Sequence, residues 1–170
     1  MVKKISVGEI EKYLFYLGRN LQEYVPIEQI ATAIKSGRWW HSRLGYNNAE
    51  LFQRFYPYKK NKKVEWWLVR GVPDKIDWEN AIVYELKTYR GKGREFMLNV
   101  GRTQANIYCW LTGCLKYVVV LVDVTKLKPE EEHEEFNYDE SMALYHIHKG
   151  IKLKKWLKGI RKQYQEMVKE

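Results

Sequence analysis

Cysteine is scarce: Cys109 and Cys114 are the only two in 170 residues. Two thiols are too few for a four-thiolate cluster or a disulfide framework. Both fall in one apolar segment, where they read as small buried side chains. Long hydrophobic runs are lacking too, since no stretch approaches the roughly 20 apolar residues that cross a bilayer. Met1-Val2-Lys3-Lys4 leads into a charged helical pattern rather than the apolar run of a signal peptide. These absences predict a cytoplasmic protein with no membrane partner. Acidic residues are in deficit, 21 Asp+Glu against 30 Lys+Arg, for a formal charge of +9. A basic surface favours polyanions, because neutralising phosphates releases condensed counterions.

What is present argues for a folded chain. Hydrophobic residues make up 45% and aromatic residues 15%, which excludes disorder. The length suits a single domain over 1–170. It divides into a helical N-terminal part (1–57), a core (64–124) and a C-terminal helix (150–168). Seven Trp and thirteen Tyr include side chains able to stack on unpaired bases.

Apolar spacing predicts helices over Val7–Tyr24 and Ile27–Lys35, the second ended by Ser36-Gly37. A third helix is expected over Asn47–Phe55, closed by Pro57 and followed by a basic loop, Tyr58–Lys63. Phe96–Leu111 has apolar residues at helical intervals, which puts Gln104 and Tyr108 on one face. Lys116–Val124 reads as a strand covered on both sides. The acidic run Lys128–Glu135 reads as a solvated loop. Met142–His148 alternates like an edge strand, with His146 and His148 sharing a face that would suit zinc, though no third ligand is evident.

The segment Trp66–Lys87, WWLVRGVPDKIDWENAIVYELK, organises the rest. It predicts a hairpin of two strands, Val64–Arg70 and Ala81–Leu86, broken at Gly71-Val72-Pro73. Strand side chains alternate faces, so Glu85 and Lys87 point one way and Leu86 the other. Asp74, just past the break, can fold back beside Glu85. Two carboxylates suit a hard divalent cation that keeps waters and accepts phosphate oxygens. A lysine beside them can orient an attacking water and offset charge on the phosphate. A surface hairpin with solvated charges satisfies the same pattern.

Asp74, a gap of strand length, then Glu85-Leu86-Lys87 resembles the core of the PD-(D/E)XK nuclease superfamily. Gln104-Ala105-Asn106-Ile107-Tyr108 resembles the QxxxY element of its RecB-like branch. Gly71-Val72-Pro73-Asp74-Lys75-Ile76-Asp77 resembles that branch's G-x-x-D strand, and Trp40–Gly45 its histidine motif. The resemblance implies an α/β fold with a mixed central β-sheet flanked by helices, a restriction-endonuclease-like αβββαβ core. It also implies a divalent-metal-dependent deoxyribonuclease, an exonuclease acting on DNA ends or single strands in repair or recombination.

By that resemblance Asp74, Glu85 and Lys87 are catalytic. His41, Asp74, Glu85 and the Leu86 carbonyl hold Mg²⁺ or Mn²⁺, with Asp77 and Glu50 as reserve ligands. Gln104 and Tyr108 contact the substrate strand. Arg90, Lys92 and Arg94, in the glycine-rich segment after Lys87, touch its phosphates. CRISPR-associated iron–sulfur members of the branch carry one cysteine after the histidine motif and three near the C-terminus. This chain has Gly45-Tyr46-Asn47-Asn48 and no cysteine beyond residue 114, so no iron–sulfur cluster is expected. The alternatives are a structure-selective or restriction-type endonuclease, or a non-catalytic nucleic-acid-binding module on the same fold. A homo-oligomer is compatible with either.

Overall fold

The computed structural model describes residues 2–17, 37–47 and 50–167. The expected helix over Ile27–Lys35 and the end of the one over Val7–Tyr24 lie outside the described residues. Strand β1 (Lys3–Ser6) runs into helix α1 (Val7–Glu11), which widens to a π turn over Lys12–Tyr16. The junction is a capping box. The Glu9 amide donates to Ser6 Oγ at 3.1 Å, and the Ser6 amide donates to the Glu9 carboxylate at 2.9 Å. Residues 37–43 are helical (α2), so Gly37 lies within a helix rather than ending one. Then come β2 (Phe52–Lys60), β3 (Lys63–Gly71), β4 (Lys75–Asp77), β5 (Ile82–Tyr89), α3 (Arg94–Thr112), β6 (Lys116–Asp123), β7 (Glu131–Asn137) and α4 (Glu140–Met167).

The strands form two mixed sheets, ordered β1-β3-β2 and β4-β5-β6-β7. The hairpin expected between Val64–Arg70 and Ala81–Leu86 is therefore absent. β3 pairs with β2, and β5 pairs with the short β4 on one side and with β6 on the other. Strands β5 and β6 are parallel, and α3 makes the crossover between them.

Residues 52–55 of the predicted third helix begin β2 instead, its residues 48 and 49 lie outside the described residues, and the basic loop is the end of β2 and the turn into β3. Tyr56 and Tyr58 are buried two residues apart, which is a strand period. Pro57 between them is tolerated because β2 is an outer strand, where a missing ladder donor matters least. The turn uses Asn61 and Lys62, both at positive φ (47° and 62°), a backbone twist that matches the flanking strands.

The acidic run is also a strand rather than a loop. As an outer strand β7 presents charge to water, a common guard against edge pairing. Met142–His148 belongs to α4, not to an edge strand. The Met142 amide donates to Asp139 Oδ1 at 3.0 Å, which caps the helix, and Ala143, Ile147 and Ile151 bury one face at helical spacing.

The main core joins Ile5, Val7 and Ile10 to Val69, Ile107, Val119, Leu121, Ile147 and Ile151. A second cluster on the other face of β5 and β6 joins Leu86, Val118, Val120 and Val122 to Tyr46, with Trp40 and Leu44 against it. Alternate residues of β6 thus meet apolar neighbours on both faces, as its unbroken valine run predicts.

Candidate active site

Strand β5 places Glu85 and Lys87 on its α3-covered face, between Val83 and Tyr89 of the main core. Lys87 Nζ lies 2.8 Å from Glu85 Oε1, and both side chains are largely buried, 12% and 4% exposed. α3 reaches this pair closely because residue 101 is glycine. A Cβ there would lie 2.6 Å from Val119 Cγ1 and 3.2 Å from Lys87 Cγ.

Asp74 stands where β4 begins. Lys75 is paired with Tyr84, so the β5 ladder runs out of β4 partners just beyond. Asp74 Oδ2 continues it, accepting from the Leu86 amide at 2.8 Å. This is the fold-back the sequence predicts. Its other oxygen, Oδ1, lies 3.1 Å from His41 Nδ1.

His41 is held there from behind: Trp40, Leu44 and Tyr46 pack over the second cluster. The Tyr46 amide donates to the His41 carbonyl at 2.8 Å. Burial deepens from His41 (29% exposed) through Asp74 (15%) to Glu85.

Gln104 and Tyr108 are both buried on α3. Tyr108 lies against Gly71, where a Cβ would come within 2.6 Å of its ring. Its hydroxyl pKa is held well above the usual value by burial, then by the charges of Glu85, Asp74 and Glu11. Glu11, at the end of α1, joins this site although the sequence does not point to it. A single acid on an amphipathic helix has no spacing signal, and only the fold brings its charge within reach of Glu85, Lys87 and Tyr108.

The electrostatics are those of an acidic pocket with one cation. Burial and the neighbouring Asp74 push the Glu85 carboxyl above its ordinary value, opposed by Lys87. For Lys87, burial disfavours the charged form, but the carboxylates of Glu85 and Glu11 outweigh it and hold the ammonium protonated. Among the described residues, Glu85 Oε2 and Gln104 Oε1 are buried without a hydrogen-bond partner. Asp74, Glu85 and Glu11 exceed the charge of Lys87, and an unpaired carboxylate oxygen among them fits a hard divalent cation. Among the described residues no three of His, Cys, Asp and Glu close on one point. That donor set suits Mg²⁺ or Mn²⁺ held by one or two carboxylates, with water completing the shell.

The other expected residues are placed as follows. Leu86 lies between Glu85 and Lys87 in sequence, and its amide donates to Asp74. Arg90 and Lys92 are exposed where β5 passes into a 3₁₀ turn over Gly91–Gly93. The glycine-rich segment is tied to its surroundings. The Gly93 amide donates to the Arg90 carbonyl at 3.1 Å, and Tyr89 and Arg94 are tied to β7. Arg94 is already committed, with ion pairs of 2.7–2.9 Å to Glu134, Glu95 and Glu132.

Asp77 accepts from both the amide and the side chain of Asn80 in its own turn, and Glu50 is exposed. The suggested zinc face is gone. His148 stacks on Tyr58 at 4.5 Å, and His146 lies two positions away on a helix, not across a shared strand face.

The chain has an α/β fold, mixed sheets flanked by helices, and solved structures share it. SSO0001 shares it over 90% of this chain and 77% of its own, at 23% identity and a TM-score of 0.59. A phage related exonuclease from Haemophilus somnus 129PT shares it over 93% and 82%, at 12% identity and a TM-score of 0.50. No protein-family model matches the sequence, and no curated protein matches it.

Proposed function

We propose that this chain is a divalent-metal-dependent deoxyribonuclease of the RecB-like kind, hydrolysing phosphodiester bonds from DNA ends or in single-stranded regions. The observation that carries it is the Asp74–Glu85–Lys87 constellation, with Glu85 Oε2 buried and unpartnered beside a second carboxylate. Similarity in fold to a protein described as an exonuclease supports it.

Asp74 and Glu85 would hold Mg²⁺ or Mn²⁺, which supplies charge neutralisation at the phosphate and an activated water. Glu85 would serve two tasks: its unpartnered Oε2 would help to hold the cation while Oε1 keeps Lys87 in place. Lys87, held protonated by its acidic neighbours, orients the water and offsets charge on the reacting phosphate. His41, expected as a metal ligand, would instead orient Asp74, its Nδ1 lying 3.1 Å from Oδ1. Gln104 and Tyr108 guide the substrate strand, and Arg90 and Lys92 meet its phosphates. Its site of action would be the cytoplasm; among the described residues no helix is long and apolar enough to cross a membrane.

The test is a time course with Mg²⁺ or Mn²⁺ on one plasmid, relaxed and linearised, beside single-stranded circles. The linear form should be consumed faster than the closed duplex. Equal loss of both duplex forms would mark an endonuclease. Retarded migration without loss of any form would mark a binding module.

A further inference from the structure

A groove of about 890 Å³ opens between the start of β1 and the C-terminal half of α4, with Trp67 among its lining residues. Lys3 and Lys4 on the strand line it together with Lys154, Lys155, Lys158 and Arg161 on the helix. The helix positions recur at three- and four-residue steps, so one side of α4 presents them together.

Part of this charge is compensated. Lys3 and Lys155 share Glu65, at 3.0 and 2.7 Å, and Lys154 pairs with Glu9 at 2.7 Å. Lys154 Nζ also donates to the Lys4 carbonyl at 2.8 Å, fixing helix to strand. Among the described residues, Lys4, Lys158 and Arg161 carry no ion pair.

Cations on two opposed walls repel one another across a cleft, and a chain of phosphates removes that repulsion along its length. The groove also has a place relative to the acidic site. Lys4 and Glu11 are seven residues apart, joined by β1 and α1, so at most about 25 Å of chain separates them. At about 3.4 Å per nucleotide, a strand of roughly seven nucleotides covers that distance.

We infer that this groove binds the phosphate backbone of a nucleic acid, holding the strand at a distance from the phosphodiester that is cut. The inference rests on the nuclease reading for its substrate, yet the two fail separately. Lys4→Ala/Lys158→Ala/Arg161→Ala changes exposed side chains and leaves the pairs to Glu9 and Glu65 in place. Its melting temperature should match that of the wild type.

Fluorescence anisotropy with a labelled 20-nucleotide single strand in EDTA reads binding without turnover. The triple variant should bind at least about tenfold more weakly at 0.1 M salt. Its plot of log K against log salt should be shallower by about 2, near 0.7 for each lost phosphate contact. Lys87→Ala should bind like the wild type. Charge reversal at one position, Lys158→Glu, should weaken binding in the same direction.

Unchanged affinity and salt slope in the triple variant, with tight wild-type binding, would overturn the groove and leave the nuclease standing. Wild-type binding without any cleavage would overturn the nuclease and leave the groove. Vesicles containing phosphatidylserine provide the remaining arm. Capture of the wild type but not the triple variant on vesicles, with equal nucleic-acid affinity, would mean that the groove takes an anionic membrane surface instead.

Discussion

Glu85 holds Lys87 through one carboxylate oxygen and keeps the other buried without a partner among the described residues. An ionised carboxylate left so is costly, and both burial and Asp74 push its pKa up. The sign of the stability effect follows. A carboxyl whose folded pKa exceeds its unfolded value favours folding most at low pH, where it is protonated in both states. That advantage is lost as pH rises through the raised value. Without metal, Glu85→Gln should therefore melt at or above the wild-type temperature at pH 8, since the amide keeps an acceptor for Lys87 and removes the charge. Mg²⁺ or Mn²⁺ should raise the melting temperature of the wild type and not of the variant. Differential scanning fluorimetry with EDTA or Mn²⁺ reads both. An equal metal shift in the two proteins would place the cation away from Glu85.

Helix α3 positions the chemistry through close contact with β5 and β6. Gly101→Ala would drive a methyl group into Val119 and toward the Lys87 stem. Overpacking of this kind costs about 1–3 kcal/mol. The variant should lose stability in that range by urea denaturation, and cleavage by the remaining folded protein should fall as Lys87 is displaced. Wild-type turnover in a folded variant would show that this contact does not position Lys87.

The elements nearest the chemistry were also the ones most legible in the sequence. Glu85 and Lys87 share a strand face by the period of two, the run over Lys116–Asp123 is apolar, and α3 repeats at helical spacing. Elsewhere local pattern misled. In β2 a proline sits among residues readable as a short helix, and only its outer position in the sheet makes it a strand. In β7 the charges that protect an outer strand hide its alternation. At the start of α4, Met142, Leu144, His146 and His148 alternate by chance, while Ala143 and Ile147 carry the helical signal. Glu11 and the Asp74–His41 contact depend on elements distant in sequence, so no window along the chain reveals them.

At the scale of the whole molecule, an acidic pocket is set within a chain of net charge +9. A basic exterior favours polyanions, and on the proposed reading the pocket would offer the hard oxygen donors that a cation needs to act on one. Cys109 and Cys114 are buried, and Cys109 Sγ donates to the Lys116 carbonyl at 3.2 Å, so both belong to the packing of α3 on β6. The central claim is that Asp74, Glu85 and Lys87 form a metal-dependent centre for phosphodiester hydrolysis. Its most direct test is release of label from 5′-labelled linear DNA by wild type and Lys87→Ala, each with Mn²⁺ and with EDTA. The account predicts cleavage by the wild type with Mn²⁺ alone, and none by Lys87→Ala although it binds the same DNA with wild-type affinity. Cleavage that persists in Lys87→Ala or in EDTA, or a wild type inert with both Mg²⁺ and Mn²⁺, would contradict it.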